Sequence, residues 1–319
     1  MKNGNRLYYT YSDYLKEKYG EKVYKLPVNL PVSCPNRTGG KKGCSFCAGC
    51  GTGFEAMDSE IPVKEQLEQT KKYIGSRYHA YKFIAYFQNY TNTFLPLSDF
   101  ERYVRDVLKV PDIVAVSIST RPDCIRSDYL KVLNDIAKAN DLDITIELGL
   151  QTVNYHTLHM VDRGHGIAEF IDAILLIREY GFNICSHVIL NLPGDDMTDS
   201  IETARVLSAL KVNTVKIHSL YIAKNTKMCE DFERGRISVC TKEEYIERVI
   251  AFLENLSPDI AVERLFSRVP EKDAVFSNWG TSWWALRDEL TARMILEGTY
   301  QGRYFHSLCA AALDKIQGA

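Results

Sequence analysis

Six short, almost continuously apolar segments recur between residues 26 and 222 and constrain the fold more than any other feature of the sequence. Runs of this kind predict strands covered on both faces, as in a parallel sheet. Longer amphipathic segments separate them and predict helices, several of which begin at Ser or Asp and end at Gly or Asn. The predicted strands lie at 26–33, 82–88, 113–120, 143–150, 183–193 and 214–222.

The spacing of these segments predicts repeated βα units. The last five begin at intervals of about 30 to 40 residues, as βα units do. The first interval is longer because a cysteine-rich loop and an additional helical stretch at 64–79 lie within it. Six successive βα units predict an α/β fold with a parallel sheet, either open and doubly wound or curved as part of a barrel.

The two ends of the chain differ from its middle. Residues 1–42 hold nine lysines and arginines against three acidic residues, and six of the nineteen tyrosines lie in the first 24 residues. A basic, aromatic segment suits a nucleic-acid backbone and its bases. The plainer alternative is a short amphipathic helix from Ser12 to Gly20 with a solvated charged face.

The pattern also changes after residue 225. A helix at 241–256 and one more strand at 260–266 predict an appendage packed on the sheet. We therefore divide the chain into a basic, tyrosine-rich N-terminal extension (1–23), a βα region (24–225) and a C-terminal appendage (226–319).

The sequence predicts a cytoplasmic protein that does not enter a membrane. No apolar run approaches the roughly 18 residues of a membrane span, and the N-terminus lacks the apolar core of a signal peptide. Single cysteines in a reducing compartment are usually small buried hydrophobes. We expect this of the five scattered ones, Cys124, Cys185, Cys229, Cys240 and Cys309.

The other four cysteines are concentrated in CPNRTGGKKGCSFCAGC, residues 34–50. Cys44, Cys47 and Cys50 form C-x2-C-x2-C, and Cys34 stands alone upstream. Such density predicts a metal. Four thiolates would close a structural zinc site, whereas three would hold three irons of a 4Fe–4S cluster and leave the fourth open. The lone Cys34 favours the cluster, as does a position after the first predicted strand, where α/β proteins build active sites.

The cysteine loop and several further segments resemble the radical S-adenosylmethionine enzymes. C-x9-C-x2-C with Phe46 inside the last pair has the spacing of their Elongator-catalytic-subunit-like branch. The segments AYFQNYTNT, STRPD, ELGLQT, RGH, SHVILNLPGDD and VKIHSLYIAKNTKM follow in the order of the bacterial YtqA/YhcC-type group. The resemblance extends from about residue 7 to past residue 285. It implies a partial (β/α)6 barrel carrying the appendage.

The resemblance also implies the cofactors. Cys34, Cys44 and Cys47 would be the ligands of a 4Fe–4S cluster whose open iron binds S-adenosylmethionine. An electron donor such as flavodoxin or ferredoxin would then permit cleavage to a 5′-deoxyadenosyl radical. Cys50 departs from the group, which commonly has a small residue there. It is a neighbour, a fourth ligand or a catalytic thiol, and we favour the neighbour because a fourth thiolate would compete with the cofactor.

Cofactor contacts are expected where the predicted strands end. Gln88 and Asn89 would meet the methionine moiety, or are turn residues. Arg121 would pair with its carboxylate as a fork, or pack over the end of the third strand. Glu147 would accept hydrogen bonds from the ribose hydroxyls, or form a salt bridge, for example to Arg163. We favour the ribose role for Glu147, because an unpartnered acid in an apolar stretch is costly to bury.

Other polar residues lie near the same strand ends. Asn191 and Pro193 belong to a motif that resembles the segment meeting the adenine. Lys216 and His218 share one face of the sixth strand, which points either into the barrel or away from it. Tryptophans stack on bases or anchor packing, and this choice applies to Trp279, Trp283 and Trp284. The residues expected to face the mouth and contact cofactor or substrate are Phe46, Gln151, Arg163, His165 and His187. The alternative for a histidine in a strand is a satisfied core position.

By resemblance, the substrate is tRNA. The implied reaction takes a carboxymethylaminomethyl group on C5 of the wobble uridine towards an aminomethyl group. Two alternatives remain: a radical enzyme acting on a small molecule or peptide, and a zinc-stabilised adaptor without enzymatic activity.

Overall fold

The computed structural model of the protein describes residues 6–49 and 56–305. Within these ranges a seven-stranded parallel sheet has the order β1-β2-β3-β4-β5-β6-β8, and a two-stranded antiparallel sheet pairs β7 with β9. The strands are β1 Val23–Val28, β2 Lys82–Phe87, β3 Ile113–Thr120, β4 Asp143–Gln151, β5 Asn183–Ile189, β6 Thr214–His218, β7 Tyr221–Ala223, β8 Ala261–Arg264 and β9 Ala274–Ser277.

Helices connect the strands and pack on the sheet. In the helix of residues 97–107, Phe100, Val104 and Val107 recur at helical spacing and are buried in the main core. The helices are α1 Tyr11–Tyr19, α2 Val63–Tyr78, α3 Leu97–Val107, α4 Ser127–Asn140, α5 Tyr155–Met160, α6 Ile167–Glu179, α7 Met197–Ala209, α8 Lys227–Glu233, α9 Lys242–Asn255 and α10 Trp283–Leu296.

The α/β class and the partial barrel are confirmed, with seven strands in the sheet instead of six. The seventh, β8, comes from the segment assigned to the appendage and pairs in parallel with β6. A one-strand extension is hard to read from sequence, because an isolated run such as residues 260–266 does not reveal its partner. The boundary at residue 225 stays a prediction.

Three strands end before their expected ends. β5 ends at Ile189 instead of residue 193. β1 ends at Val28 instead of residue 33, because the backbone N–H of Asn29 donates to the side chain of Gln66 at 2.9 Å instead of to a strand. The run at 214–222 is split: β6 ends at His218, and the chain turns into β7, which pairs with β9.

The N-terminal segment is helical, as the plainer alternative proposed. Thr10 caps α1 by accepting the N–H of Asp13 at 3.1 Å, and Gly20 ends it with φ 78°. Buried Leu15 packs on Val23 at the amino-terminal end of the barrel. Whether this segment also touches nucleic acid stays a prediction.

Residues just before α1 run along the free edge of β8. Thr10 forms a parallel bridge with Val262, whose N–H donates to the carbonyl of Tyr9 at 2.8 Å. The side chain of Gln301 accepts the N–H of Tyr9 at 2.8 Å. The outer edge of β8 is therefore paired over a short stretch.

No helix within the described ranges has the combination of length and apolar character that crossing a membrane requires.

Candidate active site

The cysteine loop follows β1 at the carboxyl end of the sheet, and an arginine holds it closed. Nη2 of Arg37 donates to the carbonyls of Cys47 at 2.7 Å and Ala48 at 2.6 Å. The N–H of Cys47 donates to the carbonyl of Cys44 at 3.0 Å. These contacts fix the turn that carries two of the three predicted ligands. Cys50 lies outside the described residues.

Cys44 is buried and lies beside two hydrogen-bond donors. Nδ2 of Asn36 and Nη1 of Arg163 each lie 3.5 Å from its Sγ. Donors of this kind stabilise a thiolate and are typical of the surroundings of metal-bound sulfur. The donor set therefore suits a metal-ligating cysteine.

Arg163 also reaches the sheet. Its Nη2 donates to the carbonyl of Gly149 at 2.7 Å, and a Cβ at Gly149 would lie 2.7 Å from that nitrogen. Only glycine leaves the space that the guanidinium occupies. Arg163 thus connects the strand end to the cysteine loop, and its predicted contact with the cofactor stays a prediction.

Arg121 packs at the end of β3, the second of its two expected arrangements. Its Nε and Nη2 each donate at 2.8 Å to Asp123, and its Nη1 donates to the carbonyl of Arg163 at 2.9 Å. Because Asp123 already accepts both of these hydrogen bonds, a cofactor carboxylate could pair with Arg121 in the same way only by displacing Asp123. That pairing stays a prediction.

Two buried amides at strand ends have an unused polar atom. Nδ2 of Asn89 donates to Asn29 at 2.7 Å, but its Oδ1 has no hydrogen-bond partner among the described residues. Oδ1 of Asn191 accepts the N–H of Leu220 at 2.6 Å, and its Nδ2 is likewise unmatched. Buried polar atoms are normally paired. These two fit groups that complete their bonding with a bound ligand.

Pro193 is buried and Phe46 is half-buried at the same end of the barrel. Phe46 packs on the cluster that contains Ile189, Leu192 and Leu220, next to Asn191. Contact of either residue with the cofactor stays a prediction.

Glu147 lies inside the barrel with protein partners on both oxygens. Nζ of Lys25 lies 2.6 Å from Oε1, which also accepts the hydroxyl of Ser117. Nζ of Lys216 lies 3.0 Å from Oε2, and Nε2 of His187 lies 2.7 Å from it. Burial by itself would raise the pKa of this carboxyl, but Lys216 and Lys25 hold it well below its usual range.

Glu147 forms salt bridges, as the alternative proposed, but Arg163 is not the partner. Arg163 donates to Gly149 and Cys44 instead. Lys216 is the partner from β6, so the shared face of Lys216 and His218 points into the barrel. The ribose role of Glu147 stays a prediction.

Sequence reasoning missed a second buried acid. Nζ of Lys25 lies 2.7 Å from Glu263 of β8, and Lys216 lies 3.6 Å from the same carboxylate. Two lysines thus neutralise two buried carboxylates. The signal was available: Glu263 is a lone acid in an apolar run, which is the argument applied to Glu147.

Lys25, Lys216 and Glu263 border one cavity, which we call the barrel cavity, of about 530 Å³. It reaches from the cysteine loop to α1 and brings together most of the predicted interior residues. Tyr11 and Leu15 form its far end. The predicted residues that line it are Phe46, Cys47, Gln88, Gln151, His187, Lys216 and His218.

Other predicted residues lie elsewhere. His165 is buried beside Arg163 and Arg121, and its burial, together with these cations, lowers its pKa to about 3. Trp279 is a packing anchor: its Nε1 donates to the carbonyl of Cys240 at 2.8 Å, and its ring packs on Tyr245. Trp284 is exposed.

The scattered cysteines largely match the expectation. Cys185 and Cys229 are buried, whereas Cys124 and Cys240 are half-buried. Cys309 lies outside the described residues.

The described residues contain one group of possible ligand atoms within 4.8 Å of one another, namely Glu147, Cys185 and His187, and lysines already occupy that carboxylate. The loop cysteines Cys34, Cys44 and Cys47 as metal ligands stay a prediction.

Comparison with protein families agrees with this geometry. The model described as the Radical SAM superfamily matches residues 28–207, and the Radical_SAM C-terminal domain model matches residues 212–295. Protein YtqA of Bacillus subtilis (strain 168) is 31% identical over 308 residues, which cover 96% of this chain and 95% of YtqA.

Two further proteins are similar to parts of this chain. The tRNA uridine(34) acetyltransferase of Methanocaldococcus jannaschii is 28% identical over 148 residues, 46% of this chain and 26% of that protein. The solved structure of archaeal Methanocaldococcus infernus Elp3 with an N-terminal deletion matches with a TM-score of 0.67 and 17% identity. That match covers 88% of this chain and 64% of Elp3, and it is a similarity of fold.

Proposed function

This chain belongs to the radical S-adenosylmethionine superfamily, in its Elp3-like branch, and we propose that it modifies tRNA at the C5 side chain of the wobble uridine. The family uses a 4Fe–4S cluster and S-adenosylmethionine. The proposed reaction takes a carboxymethylaminomethyl group towards an aminomethyl group. Flavodoxin or ferredoxin is the proposed class of electron donor.

Cys34, Cys44 and Cys47 would hold the cluster. When bound, it supplies the electron that splits S-adenosylmethionine into methionine and a 5′-deoxyadenosyl radical. Asn36 and Arg163 place donors beside Cys44, where they offset thiolate charge.

Inside the barrel, Lys216 holds a proton at a defined place. Its Nζ donates to the hydroxyl of Tyr86 at 3.2 Å, and the charge is compensated by Glu147. Tyr86, Glu147 and Lys216 are all buried, so little water reaches this part of the barrel. A reactive substrate carbon beside Lys216 would therefore be shielded from side reactions.

The observation that carries the proposal is the extent of the barrel cavity. About 530 Å³ connects Cys47 with Lys216, a size typical of sites for small molecules. A duplex cannot enter it, but enzymes that act on a base draw a single nucleotide into such a pocket. The similarity to a protein named tRNA uridine(34) acetyltransferase supports a wobble uridine as that nucleotide.

The basic N-terminal region supports an RNA partner as well. Exposed Lys16 lies in the last turn of α1, and exposed Lys22 lies on the lining of the barrel cavity, at the end that α1 borders. Exposed cations attract a phosphate backbone.

Mass analysis of tRNA nucleosides tests the proposal. Anaerobically reconstituted protein with S-adenosylmethionine and a chemical reductant is incubated with bulk tRNA from a strain lacking this gene. We expect a wobble nucleoside to lose the mass of its carboxymethyl group, and no change with Cys44→Ala. If the tRNA is unchanged while 5′-deoxyadenosine forms with a small-molecule or peptide extract, the second class of substrate is correct. Failure to bind tRNA at low salt would also remove the proposal.

A further inference from the structure

The charges that line the barrel cavity are unequal. Its deepest part is balanced, because Lys25 and Lys216 face Glu147 and Glu263 at distances between 2.6 and 3.6 Å. Together the four side chains carry no net charge. Any surplus must therefore come from residues nearer the cavity rim.

The two histidines of the cavity add no charge at neutral pH. Burial lowers the pKa of His187, and Lys216 lowers it further. Burial lowers the pKa of His218 well below its usual value, and Arg264 is the next cause. Because both imidazoles are neutral, the net charge of the cavity lining depends on the remaining cations.

Three further cations line the cavity, namely Lys22, Arg264 and Arg268. Arg268 stacks over the ring of Trp283 at 3.8 Å. In the part of the chain that the structure describes, neither Arg264 nor Lys22 forms an ion pair. Lys22 and Arg264 therefore add positive charge to the cavity lining that no ion pair among the described residues offsets.

Arg264 is the best placed of the three. It is half-buried at the end of β8, directly after Glu263, and its register partner is Lys216 of β6. A half-buried guanidinium without an acidic partner is poorly compensated, whereas a planar anion can take two of its N–H groups at once. The position is within the same cavity as Cys47, so one ligand can reach both.

We propose that Arg264 is a binding residue for an anionic group of the substrate, a carboxylate or a phosphate, and that it orients the substrate inside the barrel cavity. This inference rests on the proposed function, which supplies two possible sources of the anionic group. One is the carboxylate of the uridine side chain, and the other is a phosphate of the RNA backbone. In both cases Arg264 anchors one end of the bound nucleotide while its reacting carbon faces the cysteine loop.

Binding of two matched RNAs tests the proposal. One anticodon stem-loop carries the carboxymethylaminomethyl side chain, and the other carries its neutral carboxamide. The dissociation constants are measured with the reconstituted full chain, and across salt concentrations, for wild type and Arg264→Gln. Arg264→Lys keeps the charge without the fork, and Arg178→Gln, exposed on α6, is the matched control.

If the side-chain carboxylate is the ligand, wild type binds the acid about tenfold more tightly than the amide, and Arg264→Gln abolishes the difference. Arg264→Lys should retain part of it. If a phosphate is the ligand, Arg264→Gln weakens both RNAs equally and reduces the salt slope by about one. Equal binding and equal slopes for wild type and Arg264→Gln would overturn the proposal.

A different result identifies failure of the proposed function itself. If wild type binds neither RNA, tRNA is not the substrate, and anion binding is then measured directly. Thermal stabilisation by inorganic phosphate or acetate that requires Arg264 would still support an anion site. Stabilisation that is absent, or unchanged in Arg264→Gln, would refute it.

Discussion

Nη1 of Arg163 donates to Sγ of Cys44 across 3.5 Å, joining the loop beyond β4 to the cysteine loop beyond β1. The same guanidinium donates to the carbonyl of Gly149. A cation held beside a metal-ligating thiolate favours the state with more negative charge, which for a cluster is the reduced state. Arg163 is therefore suited to adjust a redox potential as well as to support the loop.

The first prediction follows from this contact. Arg163→Gln should make the reduction potential of the reconstituted cluster more negative, because the reduced state loses a charged donor. If the contact stabilises the reduced state over the oxidised state by about 1.4 kcal/mol, its loss shifts the potential by about 60 mV for one electron. Potentiometric titration monitored by electron paramagnetic resonance measures it without turnover. Arg178→Gln should leave the potential unchanged, and an unshifted potential in Arg163→Gln would show that the contact has no redox role.

The second prediction concerns the space beside Gly149. Gly149→Ala would put a Cβ 2.7 Å from Arg163 Nη2 and 2.9 Å from Nε2 of Gln151, so the guanidinium must move. We expect a loss of about 1 to 3 kcal/mol in the free energy of unfolding, together with reduced iron retention.

Denaturant unfolding and iron content measure these two effects. Gly75→Ala is the control, because a Cβ there would meet Ala80 at an ordinary 3.5 Å within α2. That change should be neutral or stabilising by up to about 1 kcal/mol. Equal behaviour of the two variants would contradict the close packing at Gly149.

The third prediction concerns the buried ion pairs. Glu147→Gln leaves Lys25 and Lys216 with one carboxylate, Glu263, and should lower the free energy of unfolding by about 3 kcal/mol at pH 7. Glu68→Gln, which breaks an exposed pair with Lys64, should cost less than about 1 kcal/mol. Denaturant titration compares them.

The same comparison has a defined pH dependence. The pKa of Glu147 is lowered in the folded state, so its contribution is complete above the unfolded value of about 4.3. It is lost as the pH falls from there through the folded pKa. The difference between wild type and Glu147→Gln should therefore be constant from pH 7 to about 5 and shrink below about 4. A difference that grows on acidification would be inconsistent with a charged Glu147.

The fourth prediction concerns Asp195, whose effect on the pH dependence of stability is opposite to that of Glu147. Burial raises the pKa of Asp195 to about 6, and its Oδ1 has no partner among the described residues. The unfolded value is about 3.9, so the folded state binds more protons between these values. Stability should fall as the pH rises from about 4 to 6, by at most about 3 kcal/mol.

Asp195→Asn should remove this loss, because the amide does not ionise. The variant should be more stable than wild type above pH 6 and similar to it below pH 4. Thermal or denaturant unfolding across this interval provides the measurement, with Asp172→Asn, exposed on α6, as the control. A parallel pH profile for wild type and Asp195→Asn would exclude the effect.

The sequence predicted the strands whose bounds are set by the local pattern of apolar residues. β3 was predicted with its observed bounds, since an apolar run covered on both faces has few alternatives. The place of β8 depends on pairing with β6 across the chain, which its four residues do not encode. The cysteine ligand set came from the resemblance of the loop to a known family, and it stays a prediction.

Partners of charged residues were harder to predict for the same reason. Lys25 and Glu263 are 238 residues apart, and only closure of the sheet brings them together. Strand alternation could indicate which side chains point inward, but it could not indicate that Lys25, instead of Arg163, would meet Glu147. The register between strands that are distant in sequence decides which charged residues pair, and the pattern of a single sequence contains little information about that register.

The bridge between Thr10 and Val262 affects how copies of this chain behave at high concentration. An open strand edge offers unpaired N–H and carbonyl groups to any other strand, and is a common route to aggregation. Here the residues before α1 fill that edge, with Gln301 bonded to Tyr9 beside them. Shortening the chain at its amino end would thus expose a surface prone to intermolecular strand pairing, and precipitation would follow even if every catalytic residue were intact.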